Sequence, residues 1–286
     1  MTKSRLVLGT AQLGMDYGVN NVRGAPTKEE VFSILDEAFT GDINTFDTAP
    51  AYGSAETVLG EWIQARGISE KVHVISKVSG NSRIETSLAR LHIKRMDGYL
   101  LHTPQDLYDE ETVASLRAAK ETGLTNHIGV SVYNPQDALH AVELDLDYIQ
   151  VPYNVLDQRL DRVDFFERAK AKKVTIFARS PFLQGLLLMQ PENLPPHLSH
   201  ARAYLERFIG ISHAHGLSQL EAALIFTLHS RADHIVFGTE AKEQLTEILS
   251  IARYADTFAS DLIEEMRESF RDVDEAVVNP SIWKKN

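Results

Sequence analysis

Short apolar runs recur along the chain, nearly all closing on a polar or small residue. They read RLVLG (5–9), INTFD (43–47), VHVISK (72–77), DGYLLH (97–102), HIGVS (127–131), DYIQV (147–151), VTIFAR (174–179) and HIVFG (234–238). The runs are continuous rather than alternating, which suits strands covered on both faces in a parallel sheet. Between them lie helical patterns with recognisable starts. Thr27 with Glu30 forms a capping box ahead of Val31, Ile34, Leu35 and Ala38, and Ser218 with Glu221 forms another ahead of AALIFTL. Asn134 followed by Pro135 predicts a cap with proline at the first helical position. Gly67 and Gly123 stand where the helices after the second and fourth strands should stop. Eight such strands alternating with helices predict a single-domain (β/α)8 barrel over 1–286 rather than a doubly wound sheet. Two segments depart from the rhythm: a long connection at 186–231, and a C-terminal helix and tail at 257–286 ending NPSIWKKN.

Composition narrows the function. The chain has 286 residues, 43% of them hydrophobic, with no Pro/Gly/Ser-rich linker to divide one core into two. Its 29 Lys and Arg stand against 40 Asp and Glu, a formal charge of −11, which argues against a nucleic-acid partner. The basic run KAKKV at 170–174 reads as the solvated end of a helix. With no cysteine there is no disulfide, thiolate nucleophile or cysteine metal site, and a cytoplasmic setting fits. No apolar run approaches membrane-spanning length and the N-terminus lacks a signal-peptide pattern. HLSH (197–200) and HAH (213–215) lack carboxylates at ligand spacing, so no metal is expected, and GTAQLG (9–14) lacks the Lys-Ser/Thr of a phosphate loop.

In a barrel of this kind reactive groups gather at the C-terminal ends of the strands. Asp47, Lys77, His102, Ser131, Gln150 and Arg179 close successive apolar runs, and Tyr52 follows in the turn NTFDTAPAYGSAE (44–56). A lysine buried beside Asp47 would keep its charge, and that ammonium near Tyr52 should lower the phenol pKa and make it a better proton donor. His102 would orient a substrate oxygen. The set suits protonation of a carbonyl oxygen while a cofactor delivers hydride to the carbon, since no side chain can.

The motifs LVLGTAQLG, NTFDTAPAYGSAETVLG, ISK, LLHTP, IGVSVYNP, YIQVPYN, SPFLQG and FGTEAKEQLTEI resemble the aldo-keto reductase family in order and spacing over almost the whole chain. The resemblance implies NAD(P)H-dependent reduction of an aldehyde or ketone, with Asp47, Tyr52, Lys77 and His102 as the catalytic set and Tyr52 as general acid. It places the cofactor on Gly9, Thr10, Asp47, Ser131, Gln150 and Arg179. The turn Ser180, Phe182, Leu183, Gln184 and Gly185 would offer backbone N–H groups to the pyrophosphate. Gly238, Thr239, Glu240, Lys242 and Gln244 would take the adenosine end. Met15, Tyr17, Tyr133 and Trp283 join Tyr52 and His102 around the substrate, with anchoring the tail to the barrel as the plainer reading of Trp283.

The chain departs from the family at two places. Val132 stands where an asparagine is usual, and Arg179 where a tyrosine stacks on the nicotinamide; Arg179 could stack instead, or reach a pyrophosphate or an anionic substrate. At the adenosine end the usual basic positions are Gly238 and Gln244, and Lys242 supplies the positive charge against Glu240. The expectation is therefore NADP(H) with at best a weak preference, NAD(H) being accepted within about tenfold. The alternatives are a Schiff-base aldolase acting through Lys77 and a nucleotide-binding member that turns over poorly. Substrate identity and oligomeric state stay open.

Overall fold

β1 (Leu6–Gly9) runs through the one-turn α1 (Ala11–Gly14) and a loop into α2 (Lys28–Thr40). β2 (Thr45–Asp47), α3 (Ala55–Arg66), β3 (His73–Val78), α4 (Ile84–Leu91), β4 (Met96–Leu101), α5 (Glu110–Glu121), β5 (Thr125–Ser131), α6 (Pro135–Glu143), β6 (Tyr148–Pro152), α7 (Phe165–Lys172) and β7 (Thr175–Arg179) follow in strict alternation. Short 3-10 turns, α8 (Arg202–Ala214) and α9 (Gln219–Leu228) then intervene before β8 (His234–Gly238) and α10 (Lys242–Tyr254). α11 (Ser260–Ser269) and α12 (Glu275–Val278) finish the chain. This computed structural model describes residues 5–78, 83–258 and 260–283, so residue 259 and the last three residues of the tail lie outside the described residues.

The strands close into a parallel barrel in sequence order, β1 to β8, with β8 pairing back on β1. The caps read from sequence form: both capping boxes at Thr27 and Ser218 are complete, and Asn134 caps α6 through the Asp137 N–H. Ser54 precedes α3 but makes no side-chain cap; its hydroxyl instead donates weakly to Gly14 O at 3.4 Å.

Side-chain alternation explains how the site is built. Val7, Ile75, Leu100, Tyr148, Phe177 and Val236 form one cluster inside the barrel. Two residues further along each strand come Gly9, Lys77, His102, Gln150, Arg179 and Gly238, which therefore share the inward face at the C-terminal rim. Phe46 faces the other way, edge-on to Trp62 of α3 with ring centroids 5.4 Å apart, so its neighbour Asp47 is inward. The larger core lies between barrel and helices. Among the described residues no helix is long and apolar enough to cross a membrane.

Candidate active site

Asp47 is held at both ends. Its carbonyl oxygen accepts from Thr10 N at 2.8 Å and Thr10 Oγ1 at 3.1 Å. Its carboxylate accepts from Lys77 Nζ at 2.7 Å and Gln150 Nε2 at 2.8 Å, while Lys77 also donates to Thr48 O at 3.1 Å. Lys77 is 0% exposed and Asp47 3%. A pair so far from water is stable because each charge has its partner, and removing one partner typically costs about 3–5 kcal/mol.

The Tyr52 turn is fixed by backbone contact with α1. Gly53 adopts φ 58, and a Cβ on either Gly14 or Gly53 would collide with backbone of the other segment. Ser54 N donates to Gly14 O at 3.1 Å. This contact sets the tyrosine over Lys77, whose Nζ lies 5.1 Å from the ring centroid, and edge-on to His102 at 5.6 Å and 86°. The structure thus brings Asp47, Tyr52, Lys77 and His102 together.

The electrostatics differ from the expected lowering of the Tyr52 pKa. Burial pushes the phenol well up, Asp47 adds to the rise, and the Arg179 charge opposes it. The Lys77 ammonium is neutralised locally by Asp47, so desolvation wins. Tyr52 is consequently a neutral phenol that holds its proton. Burial, followed by the Lys77 charge, lowers His102 from 6.5 to about 4, leaving a neutral imidazole near pH 7. Tyr17, in the loop after α1, is pushed up to about 12 by burial and then by Tyr52.

These groups sit in a cleft of about 510 Å3 that continues past the β7 turn to the start of α10. Five expected residues do not line it: Thr10, Met15, Lys77, Leu183 and Lys242. Thr10 anchors Asp47, Met15 lies beside Gly53, and Leu183 is in the core. Lys242 pairs with Glu37 of α2 at 3.2 Å. In the β7 turn the N–H groups of Leu183 and Gly185 donate to Ser180 O and Phe182 O, so they are not available to a pyrophosphate as expected. Gln150 offers its carbonyl oxygen, because its amide nitrogen is on Asp47. Arg179 stacks its guanidinium 4.4 Å over the Tyr133 ring and donates to Val132 O at 3.0 Å. Trp283 lines the cleft and also ties down the tail, its Nε1 donating to Ala276 O at 3.0 Å.

Several lining residues had no signal in the strand-end pattern. Gln12 comes from α1 and Asp16, Asn20 and Asn21 from the loop after it, where Val19 N donates to Gln184 O at 2.9 Å and straps that loop to the β7 turn. His197, in the run discounted as a metal site, also lines the cleft. Asn154 orients the turn, donating to Ser180 O at 3.0 Å; its place directly after β6 was the available signal.

The sequence profile described as the Aldo/keto reductase family matches residues 5–269. The chain belongs to this family. As an aldo-keto reductase it is an NAD(P)-dependent oxidoreductase of the carbonyl-reducing class. Its relatives include the uncharacterized oxidoreductase YqkF of Bacillus subtilis, 26% identical over 277 residues, covering 86% of this chain and 90% of that protein. The L-glyceraldehyde 3-phosphate reductase of Escherichia coli O157:H7 is 25% identical over 294 residues, covering 86% and 84%. The holo form of aldo-keto reductase AKR11C1 from Bacillus halodurans shares the fold, with TM-score 0.77 at 20% identity over 96% of this chain and 95% of that one. The burial of Lys77 against Asp47, away from the cleft lining, argues against the aldolase reading.

Proposed function

We propose that this aldo-keto reductase reduces a small aldehyde or ketone to the alcohol with Tyr52 as the proton donor. The observation that carries the reading is the neutral Tyr52 phenol at the cleft wall, backed by the buried Lys77–Asp47 pair and flanked by the neutral His102 ring. The residues present fit a nicotinamide dinucleotide: the cleft is continuous, and the carboxylate oxygen Glu240 Oε2 is buried without a hydrogen-bond partner. Ser131 and the Gln150 carbonyl oxygen would hold the carboxamide, and Gly9, Ser180, Phe182, Gln184, Gly185, Gly238, Thr239, Glu240 and Gln244 would line the remainder. When bound, the nicotinamide supplies the hydride.

The remaining work falls to the protein. His102, kept neutral by burial, donates its single N–H to the carbonyl oxygen and orients it. Tyr52 gives that oxygen its proton, and Lys77 stabilises the phenolate that results. Asp47 keeps Lys77 in place. Closure of the substrate end by Tyr17, Tyr133 and Trp283 limits water.

Arg179 favours an anionic, phosphorylated or sugar-derived carbonyl compound. Its charge is felt at Tyr17, Tyr52 and His102, so it belongs to the reacting end rather than to the pyrophosphate. One relative is named for a phosphorylated aldehyde, which agrees. The test is a carbonyl panel with neutral and anionic members, followed at the nicotinamide absorbance band. Turnover that is absent throughout, or unchanged in Tyr52→Phe, would refute the reading.

A further inference from the structure

The far end of the cleft carries an acid where a phosphate would need a base. β8 delivers Thr239 and Glu240 to the start of α10, and Glu240, Gln244 and Ile248 line the cleft there. Glu240 Oε2 is buried with no hydrogen-bond partner; burial raises the carboxyl group's pKa, and the neighbouring Gln244 side chain offsets part of the rise. Such a group is uncommon in a folded protein and marks a place where a donor is missing.

Each nearby cation already has a carboxylate partner on the surface. Lys242 pairs with Glu37 at 3.2 Å and does not face the cleft. Arg23, whose charge does reach Glu240, pairs with Glu30 at 3.3 Å on the exposed surface. The Gln244 side-chain oxygen accepts from Thr239 Oγ1 at 2.8 Å and from Glu240 N at 3.1 Å, so it braces the turn. Position 238 is a glycine and brings no side chain of its own; the Gln12 amide occupies the space beside it. What remains for a phosphate is the N-terminus of α10, worth about half an elementary charge, beside the Glu240 carboxyl group.

We propose that this end of the cleft selects an adenosine ribose with a free 2′-hydroxyl, so that the chain takes NADH in preference to NADPH. The proposal rests on the reading that a nicotinamide dinucleotide lies along the cleft. In barrels the loops after the seventh and eighth strands commonly hold phosphate. A dinucleotide with its nicotinamide end at Tyr52 would run past the β7 turn along the same cleft and bring its adenosine half to Glu240 and Ile248. A ribose hydroxyl donates to a carboxylate, as the acidic residue of other dinucleotide sites shows. A 2′-phosphate can only accept, and it brings further negative charge.

Binding separates the proposal from catalysis. Calorimetric titration of the full chain with ADP-ribose and with 2′-phospho-ADP-ribose uses probes that lack the nicotinamide. The wild type is expected to bind ADP-ribose at least about tenfold more tightly, or about 1.4 kcal/mol. Glu240→Gln should bring the two within about threefold, since it removes the charge at constant shape, and Glu240→Arg should reverse the order. Tighter binding of the 2′-phosphate form by the wild type, or an unchanged ratio in Glu240→Gln, overturns the selectivity and leaves the dinucleotide reading intact. Binding of neither probe overturns both. Should a variant fail to fold, shown by its thermal melt, the wild-type ratio alone decides.

Discussion

The two mouths of the barrel are both polar and aromatic, yet they are put together on opposite principles. At the N-terminal mouth His73 Nδ1 lies 3.3 Å from Asp97 Oδ1, and Tyr148 OH donates to Asp97 Oδ2 at 3.1 Å. His127 stacks on Tyr148 at 4.5 Å and Phe177 on His234 at 4.8 Å, while Tyr148 meets Phe177 at a tilt with centroids 4.9 Å apart. The shared Asp97 carboxylate and the ring contacts tie these side chains to one another. At the C-terminal rim a comparable set surrounds a cleft of about 510 Å3 and leaves Thr48 Oγ1, Arg179 Nε and Glu240 Oε2 without partners. One end of each strand therefore serves cohesion and the other is kept ready for a ligand, as the barrel architecture leads one to expect.

Substitutions should separate the two ends. The largest effect is expected from Tyr52→Phe, which should lower kcat/KM for carbonyl reduction by about a hundred- to ten-thousand-fold. Nucleotide affinity and thermal stability should stay close to wild type, as measured by titration and melting. Retention of more than about a tenth of the activity would remove Tyr52 from the role of acid.

Lys77→Met links the two principles, because Lys77 is fully buried and is proposed to support Tyr52. Leaving Asp47 without its cation should cost about 3–5 kcal/mol of unfolding free energy in a denaturant titration. Its kinetic effect should be largely contained in that of Tyr52→Phe, so the double variant should be little slower than either single one. Additive losses would give Lys77 a role of its own.

Acid sensitivity should distinguish the mouths by pH window. His102 has its folded pKa depressed from 6.5 to about 4, so the unfolded chain binds the proton more readily. Its contribution is fully present above 6.5 and is lost as pH falls towards 4, by at most about 3 kcal/mol. Burial alone would raise Asp97, but the His73 hydrogen bond and charge and the Tyr148 hydroxyl outweigh it, so its folded pKa lies below 3.8. That contribution is present above 3.8 and disappears only at lower pH. Denaturant midpoints from pH 7 to pH 4 should accordingly flatten in His102→Gln and keep the wild-type slope in Asp97→Asn. Equal flattening in both would break the distinction.

The smallest effect belongs to Tyr148→Phe at the closed mouth. Losing its hydrogen bond to Asp97 should destabilise the protein by about 1–2 kcal/mol while kcat/KM changes by less than about twofold. A large kinetic loss would show that the closed mouth communicates with the rim.

The strands and their alternation with helices were legible because nearly every strand comes from a short apolar run that ends on a polar or small residue. Local chemistry wrote the capping boxes at Thr27 and Ser218 and the Asn134–Pro135 start, since all their partners lie within four residues. The two-residue period was enough to put Asp47, Lys77, Gln150 and Arg179 on one face. What sequence could not decide was who contacts whom across the rim. Thr10 looked like a cofactor residue and is the anchor of Asp47; Lys242 looked like a phosphate cation and is held by Glu37. Lysine beside tyrosine suggested a lowered phenol pKa, but burial and the Asp47 charge reverse the sign. Hydrogen-bond partners, ion pairs and desolvation depend on distances between segments far apart in the chain. Closure of the barrel sets those distances, and no local pattern encodes them.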